Sequence, residues 1–150
     1  MKILLSSDHG GFEMKEAIKQ HLQQGGHEVV DCGNAVFDPG DHYPEFIIPM
    51  AEQVAAEPQT LGIVLGRSGN GEQIAANKVK GIRAALCLNE QMALKARQHN
   101  DANVLALGGD YIDTTLALKL VDLFVGCDFS HEARHQYRID QIAEYENKRG

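Results

Sequence analysis

The chain of 150 residues has no tryptophan and only three cysteines, Cys32, Cys87 and Cys127. These cysteines lie far apart in the sequence, with no C-x-x-C pair and no Cys/His pairing at the spacing of a zinc site. The pattern argues against a disulfide framework and against a structural zinc site. We therefore expect buried free thiols.

Positive charge and long apolar runs are also scarce. The 14 Lys and Arg residues face 21 Asp and Glu residues, which gives a formal net charge of -7, whereas binding to a nucleic-acid backbone requires clustered cations. The apolar runs are shorter than a membrane span, and Met1 leads into a short strand-like run rather than a secretory signal. We expect a single domain over residues 1–150, in the cytoplasm, with no nucleic-acid or membrane partner.

Short apolar runs alternate with amphipathic segments, a pattern typical of an α/β fold. The predicted strands are Lys2–Ser6, Glu28–Asp31, Leu61–Leu65, Arg83–Leu88 and Asn103–Leu107. The predicted helices are Phe12–Gln24, Pro44–Ala56, Glu72–Lys78, Glu90–His99, one capped by Thr114 and Thr115 that reaches about Phe124, and a polar one at about 131–148. Right-handed crossovers then predict a Rossmann-like three-layer sandwich with an open, about five-stranded parallel sheet.

Ligands of such sheets bind at the carboxyl ends of the strands, and several of these ends carry reactive side chains. Asp8 and His9 follow the first strand, a turn that ends in Glu72 follows the third, and His99 precedes the fifth. We predict that these four residues converge on one rim of the sheet. Taken alone, an Asp before a helix, as at Asp8, is most often an N-cap, and a Glu just inside a helix start, as at Glu72, is usually a surface residue that stabilises the helix dipole.

The glycine-rich turn between Gly66 and Glu72 is suited to binding oxyanions or phosphates. Its backbone N–H groups and the positive end of the following helix would point at one place, although the turn matches neither a P-loop nor a dinucleotide-binding motif. Farther on, Arg134 and Arg138 lie one helical turn apart. They form either a solvated charge stripe or a phosphate clamp that reaches the rim in its own chain or across a dimer.

Five runs of the sequence resemble the ribose-5-phosphate isomerase B family, which also includes galactose-6-phosphate isomerase and other sugar-phosphate isomerases. The runs are Asp8–Gly11, Ser68–Lys78, Gly81–Ala84, Arg97–Val104 and Arg134–His135. The resemblance implies a homodimer or a dimer of dimers with active sites shared between subunits, and a C-terminal helix that packs near the partner subunit. It also implies a small-molecule sugar-phosphate substrate and no metal or other cofactor.

The resemblance further implies roles for individual residues. In the similar branch of the family, a Glu at the position of Glu72 moves a proton between C1 and C2 of the sugar, whereas the other branch uses a Cys at the position of Gly66. His99 corresponds to the acid that opens the furanose ring, with Asp8 assisting. The substrate contacts correspond to His9, Arg134 and Arg138 for the phosphate, and to Asn100 and the backbone of Ser68, Gly69, Asn70 and Gly71 for the sugar.

The chemistry of aldose-ketose isomerisation agrees with these roles, because it needs one base and donors to an enediolate oxygen. A metal-assisted hydride shift would need gathered ligands, and the remaining histidines are scattered in the sequence. We therefore expect a cofactor-free isomerase that converts D-ribose 5-phosphate to D-ribulose 5-phosphate through a cis-enediolate. The alternatives are isomerisation of D-erythrulose 4-phosphate or of a hexose 6-phosphate such as allose or galactose 6-phosphate, and a non-catalytic sugar-phosphate-binding module.

Two positions depart from the family pattern. Arg67 stands where the similar branch has glycine, and Asp110 stands where the family has an arginine that reaches the phosphate held by the partner subunit. We expect either an ion pair between Arg67 and Asp110 or an Arg67 that takes over phosphate or hydroxyl binding. Both alternatives change the charge of the pocket and leave the preferred sugar open.

Overall fold

The computed structural model describes residues 1–149, in which five parallel strands lie between two layers of helices. The strands are β1 (Lys2–Ser7), β2 (Glu28–Asp31), β3 (Leu61–Gly66), β4 (Ala84–Leu86) and β5 (Val104–Gly108). The helices are α1 (Phe12–Gln24), α2 (Pro44–Ala56), α3 (Asn70–Asn77), α4 (Glu90–Asn100), α5 (Thr114–Gly126) and α6 (Ala133–Lys148). The predicted α/β fold class is confirmed.

Alternating side chains of the central strands fill two cores, one on each face of the sheet. In β1, Ile3 and Leu5 belong to the core under α1, α4 and α5, whereas Leu4 belongs to the core under α2 and α3. Both faces are covered by helices, which explains why the central strands are nearly continuous apolar runs.

The strand order is β2-β1-β3-β5-β4. The chain passes from β1 to β2 on one side and then returns to place β3 on the other side of β1. This reversal creates a switch point between the carboxyl ends of β1 and β3, where open α/β sheets bind ligands. No helix within residues 1–149 is long and apolar enough to cross a membrane.

Several predicted boundaries change at places where local geometry decides. β4 is shorter than predicted because this edge strand pairs only with β5, over residues 84–86. α3 begins at Asn70 rather than Glu72, directly after Gly69. α6 begins at Ala133 rather than 131 because His131 has a φ of 61°, outside the right-handed helical region.

Two further predictions need correction. α5 is capped by Asp113, whose carboxylate accepts a hydrogen bond from the backbone N–H of Leu116 at 2.8 Å, and not by Thr114 or Thr115. The three cysteines are free, but only Cys87 is buried, whereas Cys32 and Cys127 are partly exposed. The predicted burial is therefore wrong for these two thiols.

Candidate active site

Asp8 and His9 leave the carboxyl end of β1 in a short 3-10 turn. Asp8 caps this turn, because its Oδ1 accepts a hydrogen bond from the backbone N–H of Gly10 at 3.0 Å. His9 contacts Asp41, whose Oδ1 lies 2.9 Å from both the backbone N and the ring Nδ1 of His9. The hydrogen bond to Asp41 raises the pKa of His9. A histidine held in this way is suited to carry positive charge toward an anionic ligand.

Glu72 lies at the carboxyl end of the neighbouring strand β3. Gly69 turns the chain there with a φ of 81°, which glycine adopts without strain, and α3 then begins. Its first turn brings Glu72 back over the strand end, so that a Cβ on Gly66 would overlap the carboxylate. Glu72 is only 4% exposed. The predictions that Asp8, His9 and Glu72 follow neighbouring strand ends are met by this arrangement.

Burial is the main cause of a raised pKa at Glu72, and the charge of Asp8 adds to it against an opposing hydrogen bond from the backbone of Glu72 itself. A carboxylate that is desolvated in this way binds a proton more readily than a solvated one. General bases of enzymes commonly have such shifted pKa values. The side chain of Glu72 therefore has both the position and the electrostatics of a base.

Arg67 and Asp110 form an ion pair beside this turn. Arg67 Nε lies 3.4 Å from Asp110 Oδ2, and the side chains are 73% and 51% exposed. Pairing, one of the two expected alternatives, is thus confirmed, although an exposed pair of this kind contributes little stability. Arg67 and Asp110 also line a cavity of about 530 Å³ together with His9. The arginine is therefore close enough to share a ligand with His9.

His99 and Asn100 lie at the opposite end of the strands, the amino end. The carbonyl of Asn100 accepts a hydrogen bond from Arg83 Nε at 2.9 Å, just before β4 begins. The five residues of β5 separate the two ends by roughly 16 Å at about 3.3 Å per residue. The predicted convergence of His99 with Asp8, His9 and Glu72 is therefore wrong within one chain, because α4 returns the polypeptide to the amino ends of the strands.

The C-terminal helix α6 completes this second cluster. The His99 ring stacks on His135, with centroids 4.1 Å apart and an interplanar angle of 16°. Both rings, Asn100 and Arg138 line a cavity of about 660 Å³, and Arg134 lies on α6 in an exposed ion pair with Glu132 at 3.4 Å. Burial lowers the pKa of His99, and the neighbouring His135, Lys95 and Arg134 lower it further.

The sequence-predicted site residues thus separate into two clusters in a single chain. We call them the Glu72 cluster, at the carboxyl ends of the strands, and the His99 cluster, at the amino ends. The members of the Glu72 cluster are Asp8, His9, Arg67, Ser68, Gly69, Asn70, Gly71 and Glu72, and those of the His99 cluster are His99, Asn100, Arg134 and Arg138. Glu72 lines neither of the two cavities described above.

One group of possible metal ligands occurs within residues 1–149, and the sequence did not reveal it. Ligand atoms of Asp8, His9 and Asp41 all lie within 4.8 Å of one another. Asp8 already accepts a hydrogen bond from Gly10, and Asp41 accepts hydrogen bonds from His9 and Asn34. The proximity of these side chains is accounted for by hydrogen bonds within the protein.

Asp41 and Tyr43 are rim residues that the sequence patterns did not identify. Both lie in the irregular segment 32–43 that follows the carboxyl end of β2. Tyr43 packs against the glycine-rich turn, since a Cβ at Gly71 would lie 2.6 Å from its Cζ. Ligands bind at the carboxyl ends of parallel strands, and this applies to β2 as it does to β1 and β3. The position of the segment directly after β2 could therefore have identified it as part of the rim.

Comparisons with known proteins identify the family of the chain. The family described as Ribose/Galactose Isomerase matches residues 3–142. The ribose-5-phosphate isomerase B of Mycobacterium tuberculosis is 51% identical over 146 residues, which cover 97% of this chain and 90% of that protein.

Solved structures give the same result. Clostridium thermocellum ribose-5-phosphate isomerase B has a TM-score of 0.95 at 43% identity, with 100% of each chain covered. The Mycoplasma genitalium ribose-5-phosphate isomerase B with bound ribulose-5-phosphate has a TM-score of 0.93 at 41% identity, with 97% of this chain and 96% of that chain covered. This chain therefore belongs to the Ribose/Galactose Isomerase family.

Proposed function

We propose that this chain interconverts D-ribose 5-phosphate and D-ribulose 5-phosphate by proton transfer through a cis-enediolate. The observation that carries the proposal is the buried carboxylate of Glu72, which has a raised pKa and lies over the end of a central strand beside a glycine-rich turn. The names of the relatives and the ribulose-5-phosphate bound to the Mycoplasma genitalium protein support this choice of substrate.

Glu72 acts as the base in this proposal. Its carboxylate removes the proton from C2 of the open-chain aldose and returns it to C1. A second proton passes from the C2 hydroxyl to the C1 oxygen, and together the two transfers form the ketose. Charge that develops on the substrate oxygen is stabilised by the backbone N–H groups of Ser68, Gly69 and Gly71, in the manner of an oxyanion hole, whereas the N–H of Asn70 donates to Ser68 Oγ. Because burial raises the pKa of Glu72, the proton transfer is better matched in energy than it would be with a solvated carboxylate.

The remaining residues bind the substrate and open its ring. His9, Arg67, Arg134 and Arg138 supply the positive charge for the phosphate, which an acidic chain must provide locally. His99 donates a proton to the ring oxygen of the furanose with the assistance of Asp8, and its lowered pKa favours release of that proton. Asn100 contacts the sugar hydroxyls.

We infer that a second copy of this chain completes each site. The Glu72 cluster and the His99 cluster lie at opposite ends of the strands, too far apart for one pentose phosphate to contact both. The proposed dimer brings the His99 cluster of one subunit to the Glu72 cluster of the other in a two-fold arrangement. Exposed apolar side chains on α6 support an interface there: Tyr137, Ile142 and Tyr145 are 66%, 53% and 62% exposed.

Conversion of ribose 5-phosphate in D₂O tests the proposed reaction. Proton transfer is expected to place solvent deuterium on C1 of the ribulose 5-phosphate, whereas a hydride shift would retain the substrate hydrogen. A sugar-phosphate-binding module would form no product. The same assay on tetrose and hexose phosphates tests the choice of substrate. Turnover of a tetrose or hexose phosphate without turnover of ribose 5-phosphate would contradict the assignment.

A further inference from the structure

The segment 32–43 contains a buried carboxylate in a largely exposed stretch of chain. The Asp41 side chain is only 4% exposed. Its Oδ1 accepts hydrogen bonds from the backbone N–H and the ring Nδ1–H of His9, both at 2.9 Å, and its Oδ2 accepts one from Asn34 Nδ2 at 2.9 Å. Buried carboxylates are costly unless they are hydrogen-bonded in this way. Asp41 therefore fixes both the main chain and the side chain of His9.

A second buried charged residue, Lys15, is connected to Asp41 through Asn34. Lys15 of α1 is fully buried, and its Nζ donates to the carbonyl of Asn34 at 3.1 Å and to Asp31 Oδ2 at 2.6 Å. Asn34 is thus bound through its carbonyl to Lys15 and through its amide to Asp41. A continuous series of hydrogen bonds connects α1 to His9 and restricts the movement of the segment that carries Asp41.

These hydrogen bonds determine which ring nitrogen of His9 can bind a ligand. Because Asp41 occupies Nδ1 as an acceptor, the proton on that nitrogen is fixed and Nε2 is left for other partners. The Phe37 ring lies perpendicular to His9, at 88° and 6.3 Å between centroids, and restricts rotation of the imidazole. His9 lines the same cavity as Arg67. Its free nitrogen is therefore available to a ligand in a single orientation.

We propose that Asp41 is a positioning residue that directs Nε2 of His9 toward the phosphate group of the substrate. This role rests on the assignment of phosphate binding to His9 in the proposed function. Electrostatics acts in the same direction. The hydrogen bond that His9 donates to Asp41 is the largest cause of the raised pKa of His9, and the charges of Asp8 and Asp41 add to it, while desolvation and Arg67 oppose them. The raised pKa extends the pH range in which the ring is an imidazolium, and this favours an anionic ligand.

The test compares Asp41→Asn with a matched control in the same segment, Asp38→Asn. Asp38 is exposed and caps the backbone N–H of Gly40 at 2.9 Å. We expect Asp41→Asn to lower the pKa of His9, followed by NMR, and to raise KM for ribose 5-phosphate about tenfold at about pH 8 with kcat little changed. The rise should shrink as the pH is lowered toward about pH 6, because the protonated fraction of His9 then increases in both proteins. Asp38→Asn should leave the His9 pKa and KM unchanged.

An unchanged His9 pKa in Asp41→Asn, or a KM increase that is equal at both pH values, would overturn the proposal. Asn34→Ala provides a second variant, because it keeps the two hydrogen bonds to His9 and releases the other oxygen of Asp41; a smaller KM increase of the same pH dependence is expected. If the wild-type chain lacked isomerase activity, the proposed function would fail separately. Titration of His9 with inorganic phosphate would still decide the positioning role, with weaker binding expected only in the Asp41 and Asn34 variants.

Discussion

The carboxylate of Glu72 occupies the space that a side chain at Gly66 would fill, over the last residue of β3. The two positions therefore depend on each other, since a Glu at 72 can take this place only when residue 66 has no Cβ. We expect Gly66→Ala to displace the carboxylate and to lower kcat by about 10²-fold, within the range of general-base catalysis. Gly126→Ala is the control, because apart from its chain neighbours and the adjacent helix backbone no atom lies within 4 Å of a Cβ at that position. Equal kcat values for the two variants would show that the close approach is irrelevant to catalysis.

Replacement of Glu72 by Gln should keep the shape of the side chain and remove the base. We expect kcat to fall by about 10²- to 10⁴-fold with a much smaller change in KM. Glu52→Gln, on the exposed surface of α2, should behave as the wild type. Retention of more than half of the wild-type kcat by Glu72→Gln would exclude Glu72 as the base.

The raised pKa of Glu72 also predicts how stability depends on pH. The folded protein keeps a proton on Glu72 at pH values where the unfolded chain, with a pKa near 4.5, has released it. The free energy of unfolding contributed by this group therefore falls as pH rises through that range and stays lower above it. Glu72→Gln lacks this loss, so its Tm relative to wild type should increase from about pH 4 to about pH 8. A Tm difference independent of pH would mean that burial does not perturb Glu72.

Mixed dimers test whether the two clusters act across subunits. Glu72→Gln and His99→Asn are each expected to be nearly inactive alone. In a heterodimer of the two, one site would hold both substitutions and the other would be entirely native, so random mixing should restore about a quarter of wild-type activity. Sites confined to one chain would give no recovery. A mixture of Glu72→Gln with Glu72→Gln/His99→Asn is the control, since none of its sites has a native Glu72.

Arg67 should bind phosphate more strongly once its ion pair with Asp110 is removed. We expect Arg67→Gly to raise KM for phosphorylated sugars about tenfold, as for loss of a charge-assisted contact, and Asp110→Asn to lower KM. Addition of Asp110→Arg to Arg67→Gly should recover part of the loss.

If Arg67 instead shapes the pocket, Arg67→Gly should improve kcat/KM for ribose 5-phosphate relative to tetrose and hexose phosphates. Wild-type kinetics in all variants would identify Arg67 as a solvated surface residue.

The sheet could be predicted because its strands are apolar runs bounded by turn residues. The limits of β2, α1 and α2 are the predicted ones. Hydrophobic patterns carry no information on backbone geometry at the ends of elements, however. The left-handed turn at Gly69 and the single-sided pairing of β4 moved the boundaries there.

The candidate site could be predicted only in part, for a related reason. Residues that follow a parallel strand lie at its carboxyl end. This relationship correctly placed Asp8, His9 and Glu72 together. His99 precedes β5 and therefore lies at the amino end of that strand. Its closeness to β5 in the sequence does not show at which end of the strand it lies. Asp41 lies in a segment without periodicity, and its role depends on hydrogen bonds across 32 positions of sequence to His9.

The loops after β3 and β5 are joined through their main chains. Gly109 N–H donates to the carbonyl of Gly66 at 2.9 Å, and Asp110 N–H donates to the carbonyl of Arg67 at 2.8 Å. Neither bond involves a side chain, so positions 67 and 110 remain adjacent for any residues that keep these main-chain groups, which excludes only proline at 110. A positive charge at either position would therefore leave the main chain of both loops, and the nearby Glu72, in place. Under the proposed function, substitutions at these two positions would change sugar preference and leave the proposed catalytic framework in place.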